Sequence, residues 1–321
     1  MPKSWTDGAP APVALQDHAH LKDPLSYKIK RALLGGALNR HSLGHQRLSK
    51  RYALGILSSD CISSSAYGSE QILIALLPAF GLAAFTILMP MTFVVIGILI
   101  LLTLSYRNVI DVYTKTGGAY IVSRDNFGPV VAQIAAVALM LDYIVTVAIQ
   151  SAAGVAAIIS TFPSLEPGKM YMIFGVIAFL TYGNLRGVKE AGKAFALPTY
   201  FFVGCMFIVF GMGLYRLANG TLPVLDTNLP GAVHVGEAQG LLTFSAIFIL
   251  LRAFANGGSS LTGLEAISDG VALFKTPEHV NAKRTLVVMS CLLGTLVLGV
   301  SWFSSHIHAV PYEDESPTVI S

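Results

Sequence analysis

Residues 57 to 70 read Leu57-Ser58-Ser59-Asp60-Cys61-Ile62-Ser63-Ser64-Ser65-Ala66-Tyr67-Gly68-Ser69-Glu70. This segment lies within an otherwise apolar run, yet it carries two carboxylates, a phenol and six serines. A helix in hydrocarbon has to satisfy its polar groups internally, so such a segment is tolerated only where it faces protein or a water-filled cavity. We interpret it as a broken membrane-spanning helix that forms half of a transport site.

A second polar segment with glycines lies further along the chain and reads Gly257-Gly258-Ser259-Ser260-Leu261-Thr262-Gly263-Leu264-Glu265. The two segments align without a gap, as Ser64-Ser65-x-Tyr67-Gly68-x-Glu70 against Ser259-Ser260-x-Thr262-Gly263-x-Glu265. Glycine-interrupted hydrophobic segments in corresponding positions of two halves are typical of the binding sites of secondary transporters. The alignment therefore predicts that the two segments share one site.

The composition indicates an all-α polytopic membrane protein. Of the 321 residues, 54% are hydrophobic and 12% are charged, which is about half the charged fraction of an ordinary soluble domain. Seven apolar runs are long enough to cross a bilayer. They lie at about 52–79, 82–105, 129–162, 169–185, 194–218, 240–273 and 284–308. The third and sixth runs are long, which predicts a tilt or an unwound portion.

Several functional classes are disfavoured by what the sequence lacks. The three cysteines form no Cys-x-x-Cys or Cys/His cluster, so neither a disulfide framework nor a zinc site is indicated. The sequence contains no Walker, Gly-x-Ser-x-Gly or His-Glu-x-x-His motif, so we do not expect an enzyme. No cofactor is predicted beyond a transported ion and proton.

The distribution of lysine and arginine predicts the orientation. If the basic segment 1–51 is cytoplasmic, eighteen of the twenty-one cations lie on the cytoplasmic side. The transmembrane domain then spans 52–308, and 309–321 is an extracellular tail. The basic segment is explained by topology and by contact with membrane lipid, so nucleic-acid binding is not predicted. We expect a multi-pass protein of the plasma membrane.

The candidate site residues share oxygen-bearing side chains at helical spacing within three predicted spans. They are Asp60, Ser63, Ser64, Tyr67 and Glu70 in the first span, Asp142, Tyr143, Thr146 and Gln150 in the third, and Thr262, Glu265 and Asp269 in the sixth. Oxygen ligands suit a hard cation, and the absence of paired His or Cys ligands argues against a transition metal. A carboxyl group held away from water can also exchange a proton near neutral pH.

Structural roles compete with these assignments. Asp60, Asp142 and Glu265 could serve only to hydrogen-bond helices together, and Glu70 and Asp269 could act at an interface or a gate. The serines at 63–65 could be small residues that allow close helix packing.

Two loops and three helices carry a resemblance to a known family. The loop motifs are Lys115-Thr116-Gly117-Gly118-Ala119-Tyr120-Ile121-Val122 and Asn184-Leu185-Arg186-Gly187-Val188-Lys189-Glu190. They resemble the amino acid-polyamine-organocation (APC) superfamily, with its LeuT-type fold of five-plus-five inverted repeats. The first helix, Leu141-Asp142-Tyr143 and Leu261-Thr262-Gly263-Leu264-Glu265-Ala266-Ile267-Ser268 look closest to the KimA-type potassium importers of the KUP family.

The resemblance implies proton-coupled potassium uptake by alternating access. It places Asp60, Tyr67, Asp142, Tyr143, Thr146, Thr262 and Glu265 along the ion path. Gln150 stands where that family has a serine. The resemblance also implies later helices, and a cytosolic C-terminal domain that supports a homodimer of the full-length proteins. Because a second repeat would begin at the sixth span, we expect the chain to be truncated after about seven transmembrane helices.

Two alternatives remain open at this point. One is an amino-acid permease of the same superfamily, whose first helix typically carries a Gly-Ser-Gly-Ile-like turn that binds a carboxylate. This chain has a single glycine in that turn and a carboxylate, Asp60, before it, which favours a bare cation. The other is a non-functional fragment of either transporter.

Overall fold

The structure is a computed structural model that describes residues 25–26, 30, 47–114, 117–185, 188–227, 229–237, 240, 243–313 and 318–320, without the side chains of 188–195. Most of the predicted N-terminal segment 1–51 and part of the predicted tail 309–321 therefore lie outside the described residues. The described chain is helical, and its only β-type contacts are isolated bridges that join Leu48 to Phe274 and Ala232 to Tyr312.

Eleven α-helices lie within the described ranges. They are α1 Lys50–Leu57, α2 Ser59–Ser63, α3 Gly68–Phe80, α4 Ala83–Val112, α5 Gly118–Phe127, α6 Pro129–Thr161, α7 Lys169–Leu185, α8 Val188–Ala218, α9 Phe244–Gly258, α10 Glu265–Asp269 and α11 Glu278–Ile307. Short 3-10 turns occur at Ser64–Ala66, Pro163–Gly168, Ser259–Leu261 and Val271–Leu273.

Five helical segments in the described chain are long and apolar enough to cross a membrane, compared with seven predicted runs. They are Ala83–Val112, Pro129–Thr161, Ala196–Ala218, Phe244–Asp269 and Glu278–Ile307. The predicted run 52–79 is divided among α1, α2 and α3, and α7 has 17 residues. The long third run is one continuous helix, α6, whereas the sixth is interrupted between α9 and α10. Helix α5 was not among the predicted runs.

The first interruption follows from serine hydroxyls that compete for helix carbonyls. Ser63 Oγ donates to the carbonyl of Asp60 at 2.8 Å, and Ser65 Oγ donates to that of Ile62 at 2.6 Å. Bonds of this kind offer the backbone an alternative to the regular helix and often bend it. The chain accordingly passes through a 3-10 turn at Ser64–Ala66 before α3 begins.

The second interruption is set by a glycine. Thr262 is extended, with φ −61° and ψ 151°, and Gly263 has φ +83°, a left-handed conformation that costs a residue with a side chain but not glycine. Ser260 Oγ donates to the carbonyl of Gly257 at 2.6 Å on the approach to this turn. Helix α9 therefore ends at Gly258, and α10 begins at Glu265, after the turn.

The core lies where α3 packs on α9 and α4 packs on α11, with α1 against α8 and α11. Apolar side chains fill it, and buried hydroxyls add hydrogen bonds between helices: Ser301 of α11 contacts Ser69 of α3 and Thr92 of α4, each at 2.8 Å. Small hydroxylated residues of this kind hold membrane helices together. Helices α6 and α8 instead leave most of their apolar surface exposed, as expected of a surface that faces lipid.

Candidate functional site

The two helix interruptions lie against each other. A Cβ on Gly68 would lie 2.7 Å from Cβ of Ser260, so only a glycine permits this approach. The hydroxyls of Ser64 and Thr262 lie 3.3 Å apart. The structure therefore brings together the two segments that align in the sequence.

A cavity of about 700 Å³ opens beside the interruptions and against α6. Seven of the candidate residues line it: Ser63, Tyr67, Glu70, Asp142, Thr146, Gln150 and Thr262. Among its described lining residues there is no lysine, arginine or histidine. Carboxylate, hydroxyl and amide groups of the first, third and sixth predicted spans thus line one cavity.

The first interruption is held by a network of hydroxyls. Ser64 Oγ lies 2.8 Å from the hydroxyl of Tyr67 and donates to the carbonyl of Asp60 at 3.1 Å. Ser64 itself is fully buried and is not among the residues that line the cavity. Its role in the structure is therefore to orient the Tyr67 hydroxyl, which lines the cavity.

Gln150 of α6 contacts Asp60 twice. Its side-chain amide donates to the Asp60 carbonyl at 3.1 Å and also to the Asp60 carboxylate. Asp60 is not among the cavity-lining residues, whereas Gln150 is. Gln150 therefore connects the Asp60 carboxylate to the cavity lining, and its amide takes one of the lone-pair sites of that carboxylate.

The carboxylates of the three spans lie close enough to influence one another. Glu265 is within electrostatic range of Asp60, Asp142 and Asp269. Its Oε1 is buried and has no hydrogen-bond partner in the part of the chain that the structure describes. Glu265 lines neither this cavity nor the next one described. It lies among the other acids, in a position suited to a group that gains and loses a proton.

Two candidates face a second cavity, of about 690 Å³, rather than the first. Tyr143 and Asp269 line it together with Gly117 and Tyr120. The Tyr143 hydroxyl donates to Asp269 Oδ2 at 3.0 Å. A Cβ on Gly118 would lie only 1.7 Å from Asp269 Oδ1. Asp269 therefore joins α10 to α6 and to the start of α5.

Besides Thr318, the candidate residues left out three polar residues of the first cavity, Gln71, Asn256 and Ser259, of which Ser259 was named only as part of the second segment. The Asn256 amide donates to the Gln71 carbonyl at 3.2 Å and so ties α9 to α3. An amide directly before Gly257-Gly258 in an apolar helix was a signal that could have identified Asn256. Thr318 and Ile320 also line the cavity, and no local feature of the sequence indicates this.

No three His, Cys, Asp or Glu side chains converge closely enough to hold a metal ion among the residues described. An ion in the first cavity would therefore be held mainly by hydroxyl, amide and carbonyl oxygens, with individual carboxylates at its edge. This donor set differs from a carboxylate cage for Ca²⁺ and resembles the weaker, oxygen-lined sites that pass ions through membranes.

Comparison with known proteins gives two matches. The family model described as Amino acid permease matches residues 53–309. The chain is also 40% identical over 297 residues to the potassium transporter KimA of Bacillus subtilis (strain 168), and this alignment covers 92% of the chain and 47% of the relative. The chain thus spans about half the length of that relative.

Proposed function

This chain belongs to the amino acid permease family, and we propose that it carries the ion-binding part of a secondary transporter that takes up potassium together with protons. The similarity to a potassium transporter supports the choice of ion. We further propose a location in the plasma membrane with the N-terminus in the cytoplasm, because that orientation puts eighteen of twenty-one cations inside. Dimerisation of a full-length protein stays a prediction.

The observation that carries the proposal is the set of oxygen-bearing side chains in the otherwise largely apolar lining of the cavity between the two interruptions and α6. Asp142 and Glu70 contribute negative charge to it, Tyr67 and Thr262 contribute hydroxyls, and no described lining residue is cationic. A cation that leaves water for this site exchanges its hydration shell for these oxygens. Ionised carboxylates in a membrane interior are costly, and a bound cation would offset part of that cost.

Membership of the amino acid permease family favours a second candidate, an amino acid as substrate. Such a substrate needs donors for its carboxylate, commonly free backbone amides at an interrupted helix. Here the amide of Tyr67 donates to the carbonyl of Ser64, and the amide of Ser64 donates within its own turn. The Asp60 carboxylate beside this turn would also repel a substrate carboxylate. Both features support a bare cation over an amino acid.

Glu265 is the proposed proton carrier. Three other carboxylates lie within electrostatic range of it, and its Oε1 lacks a hydrogen-bond partner in the described structure. Protonation removes a negative charge from this group of acids and so lowers the cost of holding them in the membrane interior. Glu265 could therefore carry one proton inward in the same step that carries the potassium ion.

Growth of a potassium-uptake-deficient host at limiting potassium tests the proposal. The parent chain should be compared with its Asp142→Asn and Glu265→Gln variants. We expect rescue by the parent form and loss of potassium uptake in both variants at equal protein levels. Glu166→Gln is the matched control, because Glu166 is an exposed acid in the turn before α7. Uptake that is unchanged in both variants, or uptake of amino acids in place of potassium, would refute the proposal.

A further inference from the structure

A third cavity, a groove of about 770 Å³, lies away from the ion site and is rich in cations. Lys50 and Arg51 enter it from the start of α1, Arg107 from the last turns of α4, and Lys283 and Arg284 from the first turns of α11. Three helices that are remote in sequence thus direct five positive side chains into one concave surface, which we call the basic groove.

Most of this charge has no counterpart in the described structure. Lys283 pairs with Asp111 at 2.5 Å. The side chains of Lys50, Arg51, Arg107 and Arg284 form no ion pair with any described carboxylate. Like charges that converge in this way repel one another, so the groove is well suited to an anion.

The position of the basic groove indicates where the anion comes from. The groove lies at the ends of the membrane-spanning helices α4 and α11, on the side that the cation distribution assigns to the cytoplasm. Its wall also includes the apolar side chains Leu54, Val287 and Val288, and 48% of Val288 is exposed. A free phosphate would gain nothing from this apolar wall, whereas a lipid would cover it with its acyl chain.

We infer that the basic groove binds an anionic phospholipid, with the lipid phosphate held by Arg107 and Arg284 and an acyl chain lying against Val288. Arginine guanidinium groups bind phosphate oxygens in pairs and keep their charge at any physiological pH. Basic pockets between membrane helices on the cytoplasmic side are known to select anionic head groups. The site would tie α1, α4 and α11 together at the membrane surface.

Native mass spectrometry of the purified protein, stripped of lipid and titrated with phosphatidylglycerol or phosphatidylcholine, tests this inference. We expect retained phosphatidylglycerol and little phosphatidylcholine. The double variant Arg107→Gln/Arg284→Gln should weaken phosphatidylglycerol binding about 30-fold, from the summed contribution of two basic residues near an anionic surface. The variant Arg107→Lys/Arg284→Lys, which keeps the charge, should bind more tightly than the glutamine variant and should show whether folding is intact.

The matched control is Arg124→Gln/Lys275→Gln, which removes two exposed cations of the same predicted side outside the basic groove. We expect this control to bind phosphatidylglycerol like the parent protein. Equal binding of the two lipids, an equal loss in the control, or full displacement of the lipid by inorganic phosphate would each overturn the inference. Because the experiment measures lipid binding, a failure of this inference can be distinguished from a failure of the proposed potassium transport.

Discussion

The side-chain amide of Gln150 donates hydrogen bonds to both the backbone carbonyl and the carboxylate of Asp60. One residue of the continuous helix α6 thus holds the interrupted first segment at its most charged point. An amide nitrogen is a donor, and its hydrogen bond takes one of the lone-pair sites of the carboxylate, which weakens the attraction of that oxygen for a cation. Gln150 therefore decides how much of the Asp60 carboxylate is available to an ion.

Replacement of Gln150 by serine should release the Asp60 carboxylate, because the shorter hydroxyl cannot span the same distance. A hydrogen bond to a charged group contributes about 1.5–3 kcal/mol. Without the Gln150 amide as a competitor for the Asp60 carboxylate, the KM for potassium should fall by up to about tenfold. Initial uptake rates over a range of potassium concentrations measure this. An unchanged or higher KM at normal protein levels would show that Asp60 does not contact the ion.

Gly263→Ala should impair transport more than the small size of the change suggests. The residue has φ +83°, and an added Cβ would lie 2.8 Å from Asp60 Oδ2. The left-handed conformation alone costs about 1–2 kcal/mol for alanine, and the contact would displace the carboxylate. Gly97→Ala in α4 is the control, because a Cβ there meets nothing within 4 Å. Equal uptake by the two variants would contradict the expectation.

The bond between Tyr143 and Asp269 should couple α6 to α10. Tyr143→Phe and Asp269→Ala each remove this hydrogen bond. The loss of unfolding free energy in the double variant should therefore be smaller than the sum of the two single losses, by a coupling energy of about 0.5–3 kcal/mol. Thermal unfolding of all four forms in nanodiscs measures this. Tyr143→Phe combined with Glu166→Gln should be additive, because no interaction between these residues is described. Additivity in the first cycle would argue against the contact.

Ser301→Ala should destabilise the helix core without changing the ion site. The Ser301 hydroxyl accepts a hydrogen bond from Thr92 and shares another with Ser69, and all three residues are buried. The loss removes the Ser301 partner of both hydroxyls, of which Thr92 keeps its hydrogen bond to the carbonyl of Leu88, at a cost of about 1–2 kcal/mol. The midpoint of thermal unfolding should therefore fall, whereas exposed Thr295→Ala should leave it nearly unchanged. A Ser301→Ala midpoint equal to that of the parent would refute this.

Local chemistry explains why part of the site could be predicted from the sequence. Serines and glycines within an apolar run identify a helix that cannot stay regular, and the interruptions occur at 58–67 and 259–264, as that chemistry requires. Acids within membrane spans are rare enough to be singled out individually. The ends of the helices were harder to predict from the sequence. The predicted run 82–105 ends where the apolar residues end, but α4 continues through polar residues as far as Val112.

The sequence by itself determined the helical membrane class, the two interruptions and the set of oxygen-bearing residues, because hydropathy and local hydrogen bonding act within a few residues. Only the tertiary structure decided which of these residues line the first cavity and which line the second. Helical spacing predicts Thr262 and Asp269 on one face, but the turn at Gly263 directs Thr262 to the first cavity and Asp269 to the second. It also placed Gln150 on Asp60, ninety residues away. Contacts between distant segments depend on how whole helices pack, and no local pattern encodes that arrangement.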